Sequence, residues 1–226
     1  MNGWIYSGRA TRKGTSHSSN EDAMFSSTAG MLSEEGFVAV ICDGVSSVPH
    51  GKWAAEQSCA MIEEFFHCAQ RYTKSDFAQQ INTMSLDIHN TKGKRGACTL
   101  SLCWIINQEI HAFALGDTQI ALWRDETLYV LTEDRKKEGN IRYFMGMRNP
   151  IEEGLQHKTM TLWDEDIILI MSDGVSEIIS QQDFAHIWLS CYEDPQLCAE
   201  KLVQFAHFSG STDDNSVIVM HYRSDE

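Results

Sequence analysis

The chain has 226 residues, of which 42% are hydrophobic and 10% aromatic, and this is enough to bury one substantial core. Its formal net charge of −14 argues against binding to nucleic-acid phosphates, because that binding requires clustered lysine and arginine. The sequence has no apolar run of about 18 residues and no basic N-terminal region followed by an apolar one. We therefore expect neither a transmembrane helix nor a signal peptide.

Seven cysteines are present, and no two of them have the spacing Cys-x-x-Cys. Most lie within apolar runs, where cysteine behaves as a small hydrophobic residue. An odd number of cysteines in such positions indicates a reduced protein without a zinc site. The sequence thus predicts a cytoplasmic protein.

The first half of the chain combines strands with two helices. Short apolar runs predict strands at residues 4–9, 20–25 and 37–41. Apolar residues at three-to-four spacing predict one helix over residues 53–72 and a second that follows an N-cap at Ser75. Polar, glycine-containing segments separate the strands and read as loops.

The second half is rich in short strands. Turn residues at regular spacing predict an antiparallel meander over residues 97–106, 110–115, 119–123 and 128–131. Further strands are predicted at 160–163, 167–171 and 216–222, and helices at 182–190 and 195–208. Repeated strand–helix–strand alternation is lacking, so antiparallel sheets with segregated helix pairs fit better than a doubly wound sheet. We expect residues 1–226 to form one α+β domain.

Four aspartates share one place in this pattern, because each lies where a loop or turn meets an apolar strand: Asp22, Asp43, Asp173 and Asp214. One Asp-Gly pair after a strand is usually a plain turn, but here Asp43-Gly44 and Asp173-Gly174 repeat the arrangement. Packed sheets can bring strand ends together, and clustered carboxylates repel one another unless cations hold them. Oxygen ligands of this kind suit Mg²⁺ or Mn²⁺, and a glycine lets its own carbonyl approach an ion.

Other catalytic patterns are poorly represented. The P-loop Gly-x-x-x-x-Gly-Lys-Ser/Thr, the Gly-x-Ser-x-Gly elbow and His-Glu-x-x-His are all missing from the sequence. Two divalent ions that share a carboxylate can instead generate a hydroxide near neutral pH, which hydrolyses phosphate esters by in-line attack. The acidic pattern therefore favours metal-assisted phosphate chemistry.

Six short motifs follow one another along nearly the whole chain. They are Asn20-Glu21-Asp22-Ala23, Ile41-Cys42-Asp43-Gly44-Val45, Gly96-Ala97-Cys98-Thr99, Ala114-Leu115-Gly116-Asp117-Thr118 with Leu131-Thr132-Glu133-Asp134 after it, Met171-Ser172-Asp173-Gly174-Val175 and Asp213-Asp214-Asn215-Ser216-Val217. In this order and spacing they resemble the protein phosphatase 2C family, the metal-dependent serine/threonine phosphatases. The chain looks like a compact, bacterial-like member.

The resemblance implies a four-layer α/β/β/α sandwich, in which two antiparallel sheets pack face to face with helix pairs outside. It also implies hydrolysis of phosphoserine and phosphothreonine in a phosphoprotein, opposing a serine/threonine kinase, with no nucleic-acid or membrane partner. A hydroxide that bridges two Mn²⁺ or Mg²⁺ ions would attack phosphorus, so no side chain is expected to be the nucleophile.

The resemblance implies a role for each acidic motif. Asp43 would bridge two ions, with the Gly44 carbonyl on one of them, and Asp173 and Asp214 would complete the other. Asp22 and its neighbour Glu21 would reach the first ion directly or through water. Asp117 would match the position of a third, weaker ion in bacterial members.

The chain departs from the family pattern at the phosphate-binding position, where His17 stands in place of the usual arginine. Protonated imidazole can donate to phosphate, although it lacks the bidentate fork of a guanidinium. Arg12 and Lys13 lie nearby as alternative donors, and Arg135 replaces a further family histidine. Two alternatives therefore stay open: a weak or inactive metal-binding scaffold domain, and a two-metal phosphodiesterase or nuclease, which the net charge disfavours.

Overall fold

Two antiparallel sheets form the centre of the computed structural model, which describes residues 3–68, 73–132, 136–137 and 140–225. The strands are β1 (Gly3–Arg12), β2 (Ala23–Ser26), β3 (Gly30–Met31), β4 (Phe37–Cys42), β5 (Leu100–Ile106), β6 (Glu109–Leu115), β7 (Gln119–Arg124), β8 (Thr127–Val130), β9 (Lys136–Lys137), β10 (Asn140–Ile141), β11 (Gln156–Thr161), β12 (Ile167–Met171) and β13 (Asn215–Ser224). One sheet has six strands in the order β3-β1-β13-β12-β7-β8, and the other has five in the order β11-β6-β5-β4-β2. β9 and β10 form a separate two-stranded ribbon.

Helices cover the outer faces of both sheets. They are α1 (Gly51–Cys68), α2 (Lys74–Asn90), α3 (Asp173–Ser176), α4 (Gln181–Ser190) and α5 (Pro195–Phe208). The first two pack on the five-stranded sheet, and the last three pack on the six-stranded sheet. This is the predicted α/β/β/α sandwich. Within the ranges given above, no helix is both long and apolar enough to cross a membrane.

The alternation of side chains along each strand builds the layers. On β4, Phe37 and Ile41 face the core between the sheets, whereas Val38 and Val40 face the core beneath α1 and α2. β4 is fully buried because both of its faces are covered, which explains its continuous apolar sequence. β12 is buried in the same way between the central core and the α3–α5 layer.

Two strand predictions differ from the structure, and one helix of the structure was not predicted. The predicted meander is wrong as one unit, because β5 and β6 belong to the five-stranded sheet and β7 and β8 to the six-stranded sheet. The strand predicted at 160–163 is instead β11, a polar edge strand without the apolar run that signals a buried strand. α3 is too short to show the apolar spacing that predicts a helix.

Some predictions fall on residues outside those described. Residues 69–72 of the first predicted helix are among them, and so are Glu133, Asp134 and Arg135.

The second helix begins after an N-cap at Thr73 rather than Ser75. Its predicted inward face is correct, since Phe77, Ile81, Met84 and Ile88 are buried against the five-stranded sheet.

Candidate metal centre

Three of the predicted aspartates continue strand faces that point into the space between the sheets. A period of two residues along a strand returns to the same face. Ile41, Met24 and Ile218 all contribute to the intersheet core. The aspartates lie at even spacing from them: Asp22 before Met24, Asp43 after Ile41 and Asp214 before Ile218.

One cavity of about 420 Å³ is lined by four aspartates from separate parts of the chain. Asp43 follows β4, and Asp117 lies in the turn between β6 and β7. Asp173 begins α3, and Asp213 lies in the loop before β13. The cavity is therefore formed jointly by both sheets, because β4 and β6 belong to one and β12 and β13 to the other.

Hydrogen bonds from Thr99 hold the backbone at Asp43. The Asp43 N–H donates to Oγ1 of Thr99 over 3.0 Å, and the Thr99 N–H donates to the Asp43 carbonyl over 2.8 Å. The same Oγ1 accepts a hydrogen bond of 3.1 Å from the Thr118 hydroxyl. The motif that ends at Thr99 therefore positions the Asp43-Gly44 motif, although it contributes no carboxylate.

The glycine of each Asp-Gly pair packs directly against another segment of backbone. A Cβ at Gly44 would lie 2.6 Å from the backbone of Gly51, at the start of α1. A Cβ at Gly174 would overlap the carbonyl oxygen of Asp214. A larger residue at Gly44 would push the Asp43 segment away from α1, and one at Gly174 would push the Asp173 and Asp214 segments apart. The glycines therefore serve close approach rather than an ordinary turn.

Asp214 anchors the N-terminal loop. Its Oδ1 accepts a hydrogen bond of 2.7 Å from the Gly14 N–H, and its Oδ2 accepts one of 2.7 Å from the Glu21 N–H. Asp214 is buried, with 3% of its surface exposed. These bonds tie the loop that carries His17 and Asp22 to the start of β13, so one carboxylate organises two of the acidic motifs.

Asp22 is held in an unfavourable position for a carboxylate. Both of its side-chain oxygens are buried, and neither forms a hydrogen bond of normal geometry with the described residues. Burial raises the pKa of Asp22 to about 7, and the nearby charges of Asp214 and Asp173 raise it as well. The hydroxyls of Ser216 and Ser172 lower the pKa, but they do not cancel the effect of burial.

The cavity-lining carboxylates repel one another. Burial raises the pKa of Asp43 well above its usual range, and the charges of Asp22, Asp173 and Asp117 raise it further. Burial also raises the pKa of Asp213, and the charge of Asp173 adds to that shift. A divalent cation among these groups would remove both the repulsion and much of the desolvation cost.

His17 lies beside the acidic group. Its Nε2 is 3.2 Å from Oδ1 of Asp213, and its Nδ1 is 3.4 Å from Oγ of Ser46. The Ser46 hydroxyl donates a hydrogen bond of 3.0 Å to Oε2 of Glu21. The residue at the predicted phosphate-binding position is therefore adjacent to the cavity and is already engaged with a carboxylate.

The two alternative phosphate donors are directed elsewhere. The Lys13 ammonium donates to the carbonyls of Gly14 and His17, over 3.1 and 2.9 Å. The Arg12 guanidinium lies over the ring of Phe208, 5.6 Å from its centroid. Neither side chain lines the cavity. Lys13 instead holds the backbone of the loop that presents His17.

The donor set fits a hard divalent cation, because it consists of carboxylates and the nearby Gly44 carbonyl. The buried, unbonded oxygens of Asp22 fit the same conclusion. As they stand, no three acidic, histidine or cysteine groups of the described residues are close enough together to surround an ion. The aspartates facing the cavity would therefore rotate their side chains on binding.

The family model for protein phosphatase 2C matches residues 10–205. The chain belongs to the protein phosphatase 2C family. No curated protein matches it in sequence.

Solved structures share the phosphatase 2C fold over almost the whole chain. A serine/threonine phosphatase of S. agalactiae has a TM-score of 0.83 at 18% identity, covering 96% of this chain and 98% of its own. The catalytic domain of the phosphatase PstP, in complex with two manganese ions, has a TM-score of 0.80 at 15% identity, covering 98% and 100%. PppA of Pseudomonas aeruginosa has a TM-score of 0.77 at 16% identity, covering 97% and 98%. At these identities the likeness establishes the fold alone.

Among the four aspartates that line the cavity of this phosphatase 2C protein, Asp213 is the one that the sequence did not predict as a site residue. Asp213 lines the cavity, whereas the predicted ligand Asp214 accepts hydrogen bonds from two backbone N–H groups. The adjacent acids before β13 were the available signal, but the loop conformation decides which of them faces the cavity. Asp214 stays a predicted ligand, because a carboxylate oxygen that accepts one hydrogen bond keeps a second lone pair.

Proposed function

We propose that this phosphatase 2C protein is a metal-dependent protein serine/threonine phosphatase. The observation that carries the proposal is that Asp43, Asp117, Asp173 and Asp213 line one cavity, and their carboxylates suit Mn²⁺ or Mg²⁺. The manganese-bound PstP domain, which shares the fold, supports it. Its substrate would be a phosphoprotein carrying phosphoserine or phosphothreonine.

The residues would divide the work as follows. Two ions would be held by Asp43, the Gly44 carbonyl, Asp22, Asp173 and Asp214. Asp117 would bind a third, weaker ion. Asp213 joins the proposed ligands because it lines the cavity. When bound, such ions supply an activated water and neutralise phosphate charge. Thr99 keeps Asp43 in place through two hydrogen bonds, so the protein contributes mainly position and charge.

His17 would help to bind the substrate phosphate. Its Nε2 lies 3.2 Å from Oδ1 of Asp213, which lines the cavity, so the imidazole is placed where it can meet an anion there. Ser46 supports the same ring from its other side, at 3.4 Å. The remaining predictions stay part of this proposal: one catalytic domain, a cytoplasmic location, an opposing serine/threonine kinase, and no nucleic-acid or membrane partner.

Phosphate release from phosphothreonine peptides tests the proposal. We expect release with Mn²⁺ and little after chelation, and we expect Asp43→Asn to lower kcat/KM roughly 100-fold or more, because metal charge stabilises the transition state by several kcal/mol. Asp125→Asn is a matched control, since this exposed turn residue has a φ of 49°, which asparagine adopts readily. Full activity in metal-free buffer, or equal losses in both variants, would contradict the proposal.

A catalytically weak scaffold domain is the second candidate, and the contact between His17 and Asp213 favours it, because an anion must compete with that carboxylate. Calorimetry with Mn²⁺ separates the two candidates. A scaffold would bind the ion and release no phosphate, and His17→Arg would then leave turnover absent. A phosphatase limited by phosphate binding would gain activity in His17→Arg.

A further inference from the structure

A second, larger groove adjoins the acidic cavity. It has a volume of about 960 Å³ and shares three lining residues with the acidic cavity, namely Val48, Ala97 and Phe144. One wall is the turn of residues 91–95 between α2 and β5, and a second wall, from a later segment of the chain, includes Phe144 and Arg148. A chain that lies in the groove would therefore run directly past the acidic cavity.

The groove is lined by cations in a chain that is otherwise strongly acidic. Four of the 18 lysine and arginine residues line it, together with His50 and His89: Lys92, Lys94, Arg95 and Arg148. No aspartate or glutamate is among the residues described as lining it. The net charge of −14 makes such a surface unusual in this protein, because cations are outnumbered 32 to 18 by acids over the whole chain.

The cations of the groove are available to a ligand. Lys92, Lys94, Arg95 and Arg148 are all exposed. Among the ion pairs seen between described residues, none involves these four side chains. The Lys94 ammonium lies 4.6 Å from the ring centroid of Trp53, which restricts its motion without neutralising its charge. Their positive charge therefore faces solvent.

We propose that this basic groove binds acidic residues that flank the phosphorylated residue of the substrate, so that the enzyme prefers acidic phosphopeptides. The inference rests on the proposed phosphatase function and adds its substrate class. A peptide with several acids and a phosphate would be repelled by the overall field of the protein, and a local cationic groove offsets that repulsion at the entrance to the cavity. The groove adjoins the cavity, so acids next to the phosphoresidue of an extended peptide would enter the groove.

The overall charge of the protein argues against nucleic acid as the ligand of this groove. Nucleic acid would extend beyond the groove, and the overall charge of −14 would repel its phosphates. A short acidic peptide places its charge only where the cations are. The groove and the acidic cavity also share lining residues, so a peptide bound in the groove can place its phosphorylated residue in the cavity.

Three phosphothreonine peptides of equal length test the proposal, with glutamate, alanine or lysine at the flanking positions. With Mn²⁺, we expect KM for the glutamate peptide to be about threefold to tenfold lower than for the alanine peptide, with similar kcat. The difference should shrink as salt screens the charges. Lys92→Ala with Arg148→Ala, one cation from each wall, should remove the difference and leave hydrolysis of p-nitrophenyl phosphate unchanged.

Lys158→Ala with Lys201→Ala is the matched control, because it makes the same change in net charge at two lysines that do not line the groove. This control should keep the preference for the glutamate peptide. Equal KM values for the three peptides in the unmodified enzyme, or equal effects of the two double variants, would overturn the basic-groove proposal while phosphate release still supported the enzyme.

Absence of phosphate release from every substrate would instead contradict the proposed function. The groove is then tested by binding alone, with a fluorescent, unphosphorylated glutamate peptide and metal-free protein. We expect weaker binding for Lys92→Ala with Arg148→Ala than for the control. Loss of that difference, or tighter binding of a single-stranded RNA of equal charge, would overturn the assignment of the groove to acidic peptides.

Discussion

At the scale of single residues, the most unusual feature of this structure is its buried aspartates. Asp22 and Asp43 have raised pKa values chiefly because burial removes their carboxylates from water, and neighbouring acids add to the shifts. A carboxylate whose pKa is higher in the folded than in the unfolded protein binds its proton more tightly when folded. Without metal ions, these side chains therefore make folding less favourable as pH rises.

We predict that Asp22→Asn stabilises the metal-free protein at neutral and alkaline pH. The pKa of Asp22 is about 7 in the folded protein, against a usual value of 3.8. The stability that its proton confers is fully present below pH 3.8 and is lost as pH rises through about 7. The asparagine variant lacks this dependence, so its advantage should grow between about pH 5 and pH 8, to roughly 2–4 kcal/mol.

Urea unfolding of both proteins at several pH values, in the presence of a chelator, measures this advantage. Comparing variant with parent cancels the titration of every other group. A stability difference that stays constant across this range would show that the Asp22 carboxylate is not held in an unfavourable environment. A parent more stable than the variant at pH 8 would show the same.

The start of α2 shows how local chemistry sets an element. Thr73 accepts a hydrogen bond from the Asp76 N–H, and the Asp76 carboxylate accepts one from the Thr73 N–H, which together form a capping box. Ser75 is equally suitable as an isolated cap residue. Only Thr73, however, has the acidic partner Asp76 three residues later that completes the capping box. The pair, rather than the single residue type, decides where this helix begins.

We predict that Thr73→Ala lowers stability by about 1 kcal/mol, because it removes the capping acceptor. This corresponds to roughly 2–4 °C in Tm for a chain of this size. Thr83→Ala, at an exposed position on the same helix, is the control and should change Tm much less. Calorimetry distinguishes the two start positions, since a larger loss in Ser75→Ala than in Thr73→Ala would place the cap at Ser75.

At the scale of the whole molecule, the acidic cavity joins two sheets that otherwise meet through an apolar core. Asp43 extends from the five-stranded sheet, and Asp173 and Asp213 extend from the six-stranded sheet. An ion bound among them would link both sheets at one end. Binding to the folded state alone also stabilises that state by mass action.

We predict that Mn²⁺ at about 100 times its Kd stabilises the protein by roughly 2.7 kcal/mol, or about 5–10 °C in Tm. Amide hydrogen exchange should slow at the ends of both β4 and β13, because the ion would hold both sheets. Asp43→Asn should show little of either effect. Protection confined to one sheet, or an equal rise in Tm in the variant, would contradict an ion shared between the sheets.

The sequence alone determined the parts of the protein that follow from periodicity. Apolar runs located β4 and β12, and the helix predicted at residues 195–208 is α5 with the bounds seen in the structure. These patterns are local, because a strand or helix buries a face whose residues recur at a fixed interval. The ordered Asp-containing motifs indicated the family for the same reason: each keeps its residues within a few positions of one another.

Only the tertiary structure decided which acids face the cavity and what lies beside it. Asp213 rather than Asp214 lines the cavity because the loop before β13 turns it there, and no interval in the sequence encodes that turn. The groove with Lys92 and Arg148 joins residues more than 50 positions apart, on walls that come together only when α2 and the segment around Met145 pack on the sheet. Strand periodicity acts between neighbours, whereas a cavity depends on how separate elements pack.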